Sequence, residues 1–129
     1  KNIEDITIVE MENELIQVFI NIINNSRDEL MKKTEGKRLI FIDIRKNNNF
    51  VEMSFRDNAG GIPNDVIKDI FNSHFTTKED SSGTGIGLYM SKMIIEEHMK
   101  GKLLVENINF SYEDISYKGA EFKILLPFS

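Results

Sequence analysis

Apolar residues at helical spacing occupy positions 11–33, and past Gly36 they give way to two runs that alternate. A change of period from 3.6 to 2 asks for a helix with its stripe laid on a sheet. Met11, Leu15, Val18, Phe19, Ile22 and Ile23 form that stripe, and Gly36 is placed as a terminator. Ile40, Ile42 and Ile44 share one face of a strand over 39–45, and Val51, Met53 and Phe55 one face of a strand over 50–57. The intervening Lys-Asn-Asn-Asn suits a hairpin, so these two strands are predicted to be antiparallel neighbours. The β-branched run 6–9 predicts a short edge strand ahead of the first helix. A short helix over 65–71 with Asn64 as N-cap, a polar lid-like loop over 72–84 and an amphipathic helix over 86–99 follow. Strands over 102–106 and 121–127 close the chain, joined by a connector that has hairpin character. The pattern predicts a two-layer α/β sandwich of the α+β kind.

Composition narrows the function classes. The chain has 129 residues, enough for one domain spanning 1–129, with 40% hydrophobic and 29% charged residues. No run nears the ~18 apolar residues of a membrane span, and the acidic start lacks the apolar core of a signal peptide. Cysteine is absent, which removes disulfides and thiol chemistry. The 16 basic against 21 acidic residues, net −5, argue against a nucleic-acid partner. No HExxH or histidine cluster suggests zinc. The six methionines read as core filler and partner-facing surface.

Four clusters carry candidate chemistry. Asn21 and Asn25, four apart, project from one helix face, and a carboxamide oxygen suits Mg²⁺. Alone, such a pair reads as a solvent-facing helix surface, and it gains weight from the clusters that follow. Asp57-Asn58-Ala59-Gly60-Gly61-Ile62-Pro63 sets a carboxylate beside a backbone that can approach a flat ligand, although a plain strand-to-helix turn has the same look. Gly83-Thr84-Gly85-Ile86-Gly87-Leu88 opens a helix, where N–H groups favour an anion. It is neither the dinucleotide fingerprint nor a Walker A sequence. Phe75-Thr76-Thr77-Lys78 brings two hydroxyls and an ammonium to the loop, or is simply solvated.

In this order the four clusters resemble the ATP-binding catalytic domain of sensor histidine kinases. That family shares the Bergerat fold with gyrase-type, mismatch-repair and heat-shock chaperone ATPases. The resemblance covers 14–128. It implies a mainly antiparallel mixed sheet with helices on one face and a mobile ATP lid. It also implies that Asn25 coordinates Mg²⁺, that Asn21 sits near the phosphates, and that Asp57 takes the adenine amine, with Gly61 and Ile62 shaping the base pocket. Phe71 and Phe75 mark a further box. Lys78 would reach the terminal phosphates as the catalytic cation, beside Thr76 and Thr77. Gly83, Thr84, Gly85, Ile86, Gly87 and Leu88 would cradle phosphates, and Gly119 and Ala120 match the last box beside the adenine.

The implied activity is a protein-histidine kinase working with ATP and Mg²⁺. It passes the γ-phosphoryl group to a histidine on a separate dimerisation domain of the same kinase, and so indirectly serves a response regulator. ATP-hydrolysing relatives carry a glutamate at position 21, and an amide cannot take a proton that way. The acceptor histidine is expected outside this chain, because His74 lies in the loop and His98 ends a helix. The chain is expected to be a cytoplasmic, monomeric fragment of a longer kinase, the parent being an inner-membrane protein in some arrangements. The Phe-Thr-Thr-Lys segment resembles the nitrogen-regulatory and dicarboxylate-sensing branch. A nucleotide-holding regulatory module without transfer and an anti-sigma-type serine kinase are the rival readings. Three departures stand out. Ala59 replaces the commoner glycine, at about 1–2 kcal/mol if its φ must be positive. Asp28 replaces a basic residue, and Ala120 a frequent threonine.

Overall fold

The structure, a computed structural model, describes residues 3–47, 49–72 and 85–127, excepting the side chains of 3–10, 85 and 86. The elements are α1 (Ile3–Leu30), β1 (Ile40–Lys46), β2 (Phe50–Asp57), α2 (Asn64–Ile67), α3 (Gly85–Met93), a π-helical turn (Ile94–His98), β3 (Lys102–Tyr112) and β4 (Ile115–Pro127). The strands form one sheet in the order β1-β2-β4-β3, and every described pairing is antiparallel. Helices cover one face, as the α+β sandwich requires.

The expected edge strand at 6–9 is instead part of α1. β-Branched residues cost only a few tenths of a kcal/mol in a helix. Each residue that extends a formed helix gains a hydrogen bond, whereas an unpaired strand gains none. At its other end α1 stops after Leu30. The Leu30 carbonyl accepts from the Lys33 N–H at 3.0 Å and from Arg38 Nε at 2.9 Å, and Arg38 Nη2 donates to the Lys33 carbonyl at 2.8 Å, so a side chain helps to satisfy the carbonyls that follow the helix end. Gly36, with φ +78°, turns the chain towards β1.

β1 and β2 form the expected hairpin, with Ile42 opposite Phe55 and Ile44 opposite Met53. That register puts all four on the helix-facing side. Phe55 and Met53 are buried, while Ile42 and Ile44 lie on the edge strand and stay half or more exposed. The core is completed by Leu103, Phe122 and Ile124 from the sheet, Val18 and Ile22 from α1, and Leu88 and Ile95 from the third helical segment. Phe55 stands opposite Phe122 and Met53 opposite Ile124, so the central pair β2–β4 supplies its floor. Phe19 packs tilted on Phe55 at 5.4 Å, and Phe71 packs edge-on against Phe122 at 6.3 Å.

Further boundaries differ from expectation, and the helix expected over 65–71 ends already at Ile67. Asn64 is not an N-cap. Pro63, at φ −54° and ψ 143°, precedes α2, and its carbonyl accepts from the Val66 and Ile67 N–H groups at 2.9 Å. The helix expected over 86–99 changes to π geometry at Ile94, where the Met99 N–H reaches the Ile94 carbonyl at 3.0 Å. The connector between the last strands is itself paired. β3 and β4 run on to a two-residue turn at Glu113 and Asp114, both with positive φ. On the sheet's other face Phe110, Tyr112 and Phe41 cluster, with the Arg56 guanidinium 4.8 Å from the Phe110 ring and 5.3 Å from the Phe41 ring.

Past Asn72 the lid-like loop, with His74, Phe75, Thr76, Thr77, Lys78, Gly83 and Thr84, lies outside the described residues. No helix among the described residues is long and apolar enough to cross a membrane.

Phe122 is 1% exposed and touches both layers. Phe122→Ala is expected to cost about 3–5 kcal/mol. Urea unfolding checks this, with Ile44→Ala, at a site 67% exposed, as a control expected to change stability by under about 0.5 kcal/mol.

Candidate nucleotide site

Asp57 ends β2 and is 3% exposed. Burying a carboxylate is costly unless its oxygens are bonded. Here Oδ1 accepts from the Ala59 N–H at 3.0 Å and the Ala120 N–H at 3.3 Å, and Oδ2 accepts from Ser26 Oγ at 3.1 Å. Three elements therefore meet at one side chain: α1 through Ser26, the following turn through Ala59, and β4 through Ala120.

β4 can come this close because residue 119 is glycine. A Cβ there would collide with the Asp57 carbonyl and sit 3.2 Å from the Asn58 Cα. The turn after Asp57 takes its left-handed conformations at Gly60, φ +102°, and Gly61, φ +91°. Ala59 is not among the positive-φ residues, so the departure at that position carries no backbone strain. The Gly60 N–H donates to the Lys118 carbonyl at 3.0 Å, folding the turn over β4. Beyond it, Ile62 is held at both backbone groups. Its N–H donates to Asn107 Oδ1, and its carbonyl accepts from Asn107 Nδ2, each at 2.7 Å. Asn58 faces the other way and pins the start of β1, accepting from the Leu39 N–H at 2.9 Å and donating to the Lys37 carbonyl at 3.0 Å. A cavity of about 230 Å³ opens beside the turn, bounded by Gly60, Gly61, Asn107 and Gly119 among others.

The other half of the site lies between α1 and α3. Asn21 Nδ2 donates to the Gly87 carbonyl at 3.2 Å and to Ser91 Oγ at 3.1 Å, while its Oδ1 accepts from Gln17 at 3.2 Å. Asn21 thus ties α1 to the first turns of α3. Asn25, one turn along the same face, is partly exposed and makes no side-chain hydrogen bond among the described residues. Gly85 and Ile86 open α3, Gly87 is partly exposed, and Leu88 is buried in the core. Ala120 is buried beside Asp57. The structure brings Asp57, Gly61, Ile62 and Ala120 to one end of the helix layer and links Asn21 to Gly87. Lys78 and the remaining loop residues fall outside the described residues.

Sequence reasoning missed Ser26 and Asn107, whereas Gln17 belongs with Asn21 and Asn25 to the polar stripe of the first helix. Ser26 directly follows Asn25 and falls on the helix face turned to β2, a signal the wheel carries. Asn107 sits in a segment expected to be a connector. His98, expected as a helix-end residue, bonds Glu14 Oε2 through Nδ1 at 2.9 Å and so joins the π-helical turn to α1.

Residues 10–129 match the model of the histidine kinase-, DNA gyrase B- and HSP90-like ATPase family. The chain belongs to that family. Within it, the chain is an ATP-binding catalytic domain of the sensor histidine kinase kind. It is 39% identical over 127 residues to Sporulation kinase E of Bacillus subtilis, covering 97% of this chain and 15% of that protein. It is 32% identical to a probable C4-dicarboxylate sensor kinase of Halalkalibacterium halodurans, covering 88% of this chain and 20% of that one. The chain therefore spans about a fifth or less of these two relatives. The catalytic domain of histidine kinase ThkA, in a nucleotide-free form, superposes with a TM-score of 0.67 at 30% identity, over 89% of this chain and 67% of that one.

Gly119→Ala sets a side chain against backbone that cannot turn aside. It is expected to separate β4 from Asp57, lowering thermal stability and nucleotide affinity together. Calorimetric melting and titration of the same sample check both.

Proposed function

We propose that this chain binds Mg²⁺-ATP and donates the γ-phosphoryl group to a histidine on a separate dimerisation domain of the same kinase, as one catalytic domain spanning 1–129. The observation that carries the reading is Asp57. It is a buried carboxylate at a glycine turn whose three partners among the described residues are all donors, one of them on Oδ2. Such an oxygen retains a lone pair for an exocyclic amine. Gly61 and Ile62, fixed by Asn107, give the base a rigid backbone wall.

When bound, Mg²⁺-ATP supplies the transferable phosphoryl group and the divalent charge that offsets its oxygens. Asn25 suits the metal, since it offers a hard, neutral carboxamide oxygen that is unclaimed among the described residues. The N–H groups of Gly85, Ile86 and Gly87 stand at the positive end of α3 and suit phosphate oxygens. Sequence alone assigns Thr76, Thr77, Gly83 and Thr84 to the same phosphates, Phe75 to the lid and Lys78 to the catalytic cation. Asn21 has no proton-accepting carboxylate, so the site holds ATP without a side-chain base at that position to activate water. In this reading the domain acts in the cytoplasm on a partner domain of its own kinase, and a response regulator receives the phosphoryl group afterwards. Nucleic acid has no part in it.

Titration with a non-hydrolysable ATP analogue tests the base site. Asp57→Asn is expected to weaken binding at least about tenfold, because the amide turns a donor towards the amine or loses a charge-assisted bond. Equal affinity for the variant would sink the assignment of Asp57. Asn25→Ala is expected to abolish the gain in affinity on adding Mg²⁺ while leaving metal-free binding within about twofold. A gain that survives in Asn25→Ala removes Asn25 from the metal. Transfer itself is tested by labelled ATP with the parent kinase's histidine-bearing domain supplied separately.

A further inference from the structure

We propose that Ser26 is a positioning residue that makes the base end of the site select a 6-amino purine over a 6-oxo purine. This rests on the reading that Asp57 receives the base. Ser26 is 2% exposed, near the end of α1, and its Oγ lies 3.1 Å from Asp57 Oδ2. The opposite oxygen is engaged by the Ala59 and Ala120 N–H groups at 3.0 and 3.3 Å. With donors on both oxygens, rotation of the carboxylate about its Cβ–Cγ bond is fixed.

A serine hydroxyl has one hydrogen to give. Here that hydrogen is committed to Oδ2, so lone pairs are what remain on both atoms. The buried edge formed by Ser26 and Asp57 is an acceptor-only edge. A 6-amino group donates to it. A 6-oxo group sets a carbonyl oxygen against lone pairs and leaves buried acceptors unpaired, the arrangement that polar sites reject most strongly.

The hydroxyl matters because of what would replace it. With a side chain lacking that oxygen, the space beside Oδ2 suits a water molecule, which can turn to donate or to accept. A mobile donor-acceptor would adapt to either base. Ser26 Oγ is carried by α1 and cannot turn without giving up Asp57. The hydroxyl therefore adds selectivity that Asp57 would not have by itself.

The experiment is titration of wild type, Ser26→Ala and Ser26→Cys with ADP and with inosine diphosphate, both with Mg²⁺, alongside thermal melting. Wild type is expected to favour ADP. Both variants are expected to lower the ADP-to-inosine-diphosphate affinity ratio about fivefold, the size of one ordinary hydrogen bond. Cysteine fills the serine volume and keeps water out but donates poorly, which frees the Asp57 carboxylate to rotate, so agreement between the two variants assigns the effect to the hydrogen bond that fixes that carboxylate. It also carries the test if the alanine variant does not fold. A ratio unchanged in the variants, even with both affinities reduced, overturns the proposal, as does full retention of selectivity in Ser26→Cys. Wild type that binds both nucleotides equally overturns it while leaving the nucleotide-site reading intact. Wild type that binds neither removes that reading and this inference with it.

Discussion

The close approach of β4 to the end of β2 is the constraint on which the rest of this structure turns. It happens at Gly119, where backbone rests on the Asp57 carbonyl, and at Ala120, whose N–H reaches the Asp57 side chain. β2 and β4 are the two central strands, so the same pairing that sets Phe55 opposite Phe122 in the core also sets a carboxylate at the sheet's end. Packing and site are one register. A slip of one residue would turn Phe122 to the wrong face and take Asp57 away from its donors at once.

α1 serves the core and the site from different sides of one helix. Val18 and Ile22 are fully buried against the sheet. Asn21 turns towards α3, Asn25 follows it one turn later, and Ser26 faces β2. Steps of 100° per residue bring these three to neighbouring but distinct directions. The helix therefore relays the position of the sheet to α3. Ser26 fixes α1 against Asp57, and Asn21 then fixes Gly87 and Ser91 against α1. The base end and the phosphate end of the proposed site are spaced by a rigid helical segment rather than by a loop.

The architecture was legible where the periodicity was strong. The α1 stripe, the β1–β2 hairpin and the four sequence clusters could all be read from spacing and residue type. What could not be read has physical causes. The run 6–9 has strand composition, but no local rule says that a preceding helix can absorb it. The π-helical turn is stabilised by groups on either side of it, one of them in the next strand. Glu96 Oε2 accepts from Lys92 Nζ and from the Leu103 N–H, both at 3.1 Å, and β3 supplies the second of these. The long β3–β4 ribbon hides its alternation because one side is polar and open while the other packs Phe110 and Tyr117 outside the main core. Asn107 belongs to that ribbon, and its bonds to Ile62 span 45 residues. In the site, the residue types at Asp57 and the glycines were visible, whereas the groups that orient them, Ser26 and Asn107, emerge only from contacts between elements.

Asn21 shows how the two levels decide one residue. Its amide donates twice, to the Gly87 carbonyl and to Ser91 Oγ, and accepts once, from Gln17. A carboxylate at this position keeps the bond from Gln17 and loses the amide donors. It would also set a negative charge beside the Gly87 carbonyl, at the start of the helix proposed to hold phosphate. The donor pattern that ties α3 to α1 thus requires an amide. An amide in turn cannot serve as the proton acceptor that hydrolysis by water asks for. The bond that holds the two helices together and the absence of a base at this position follow from the same side chain. A domain built this way keeps its helix pair fixed without a carboxylate poised over the proposed phosphates.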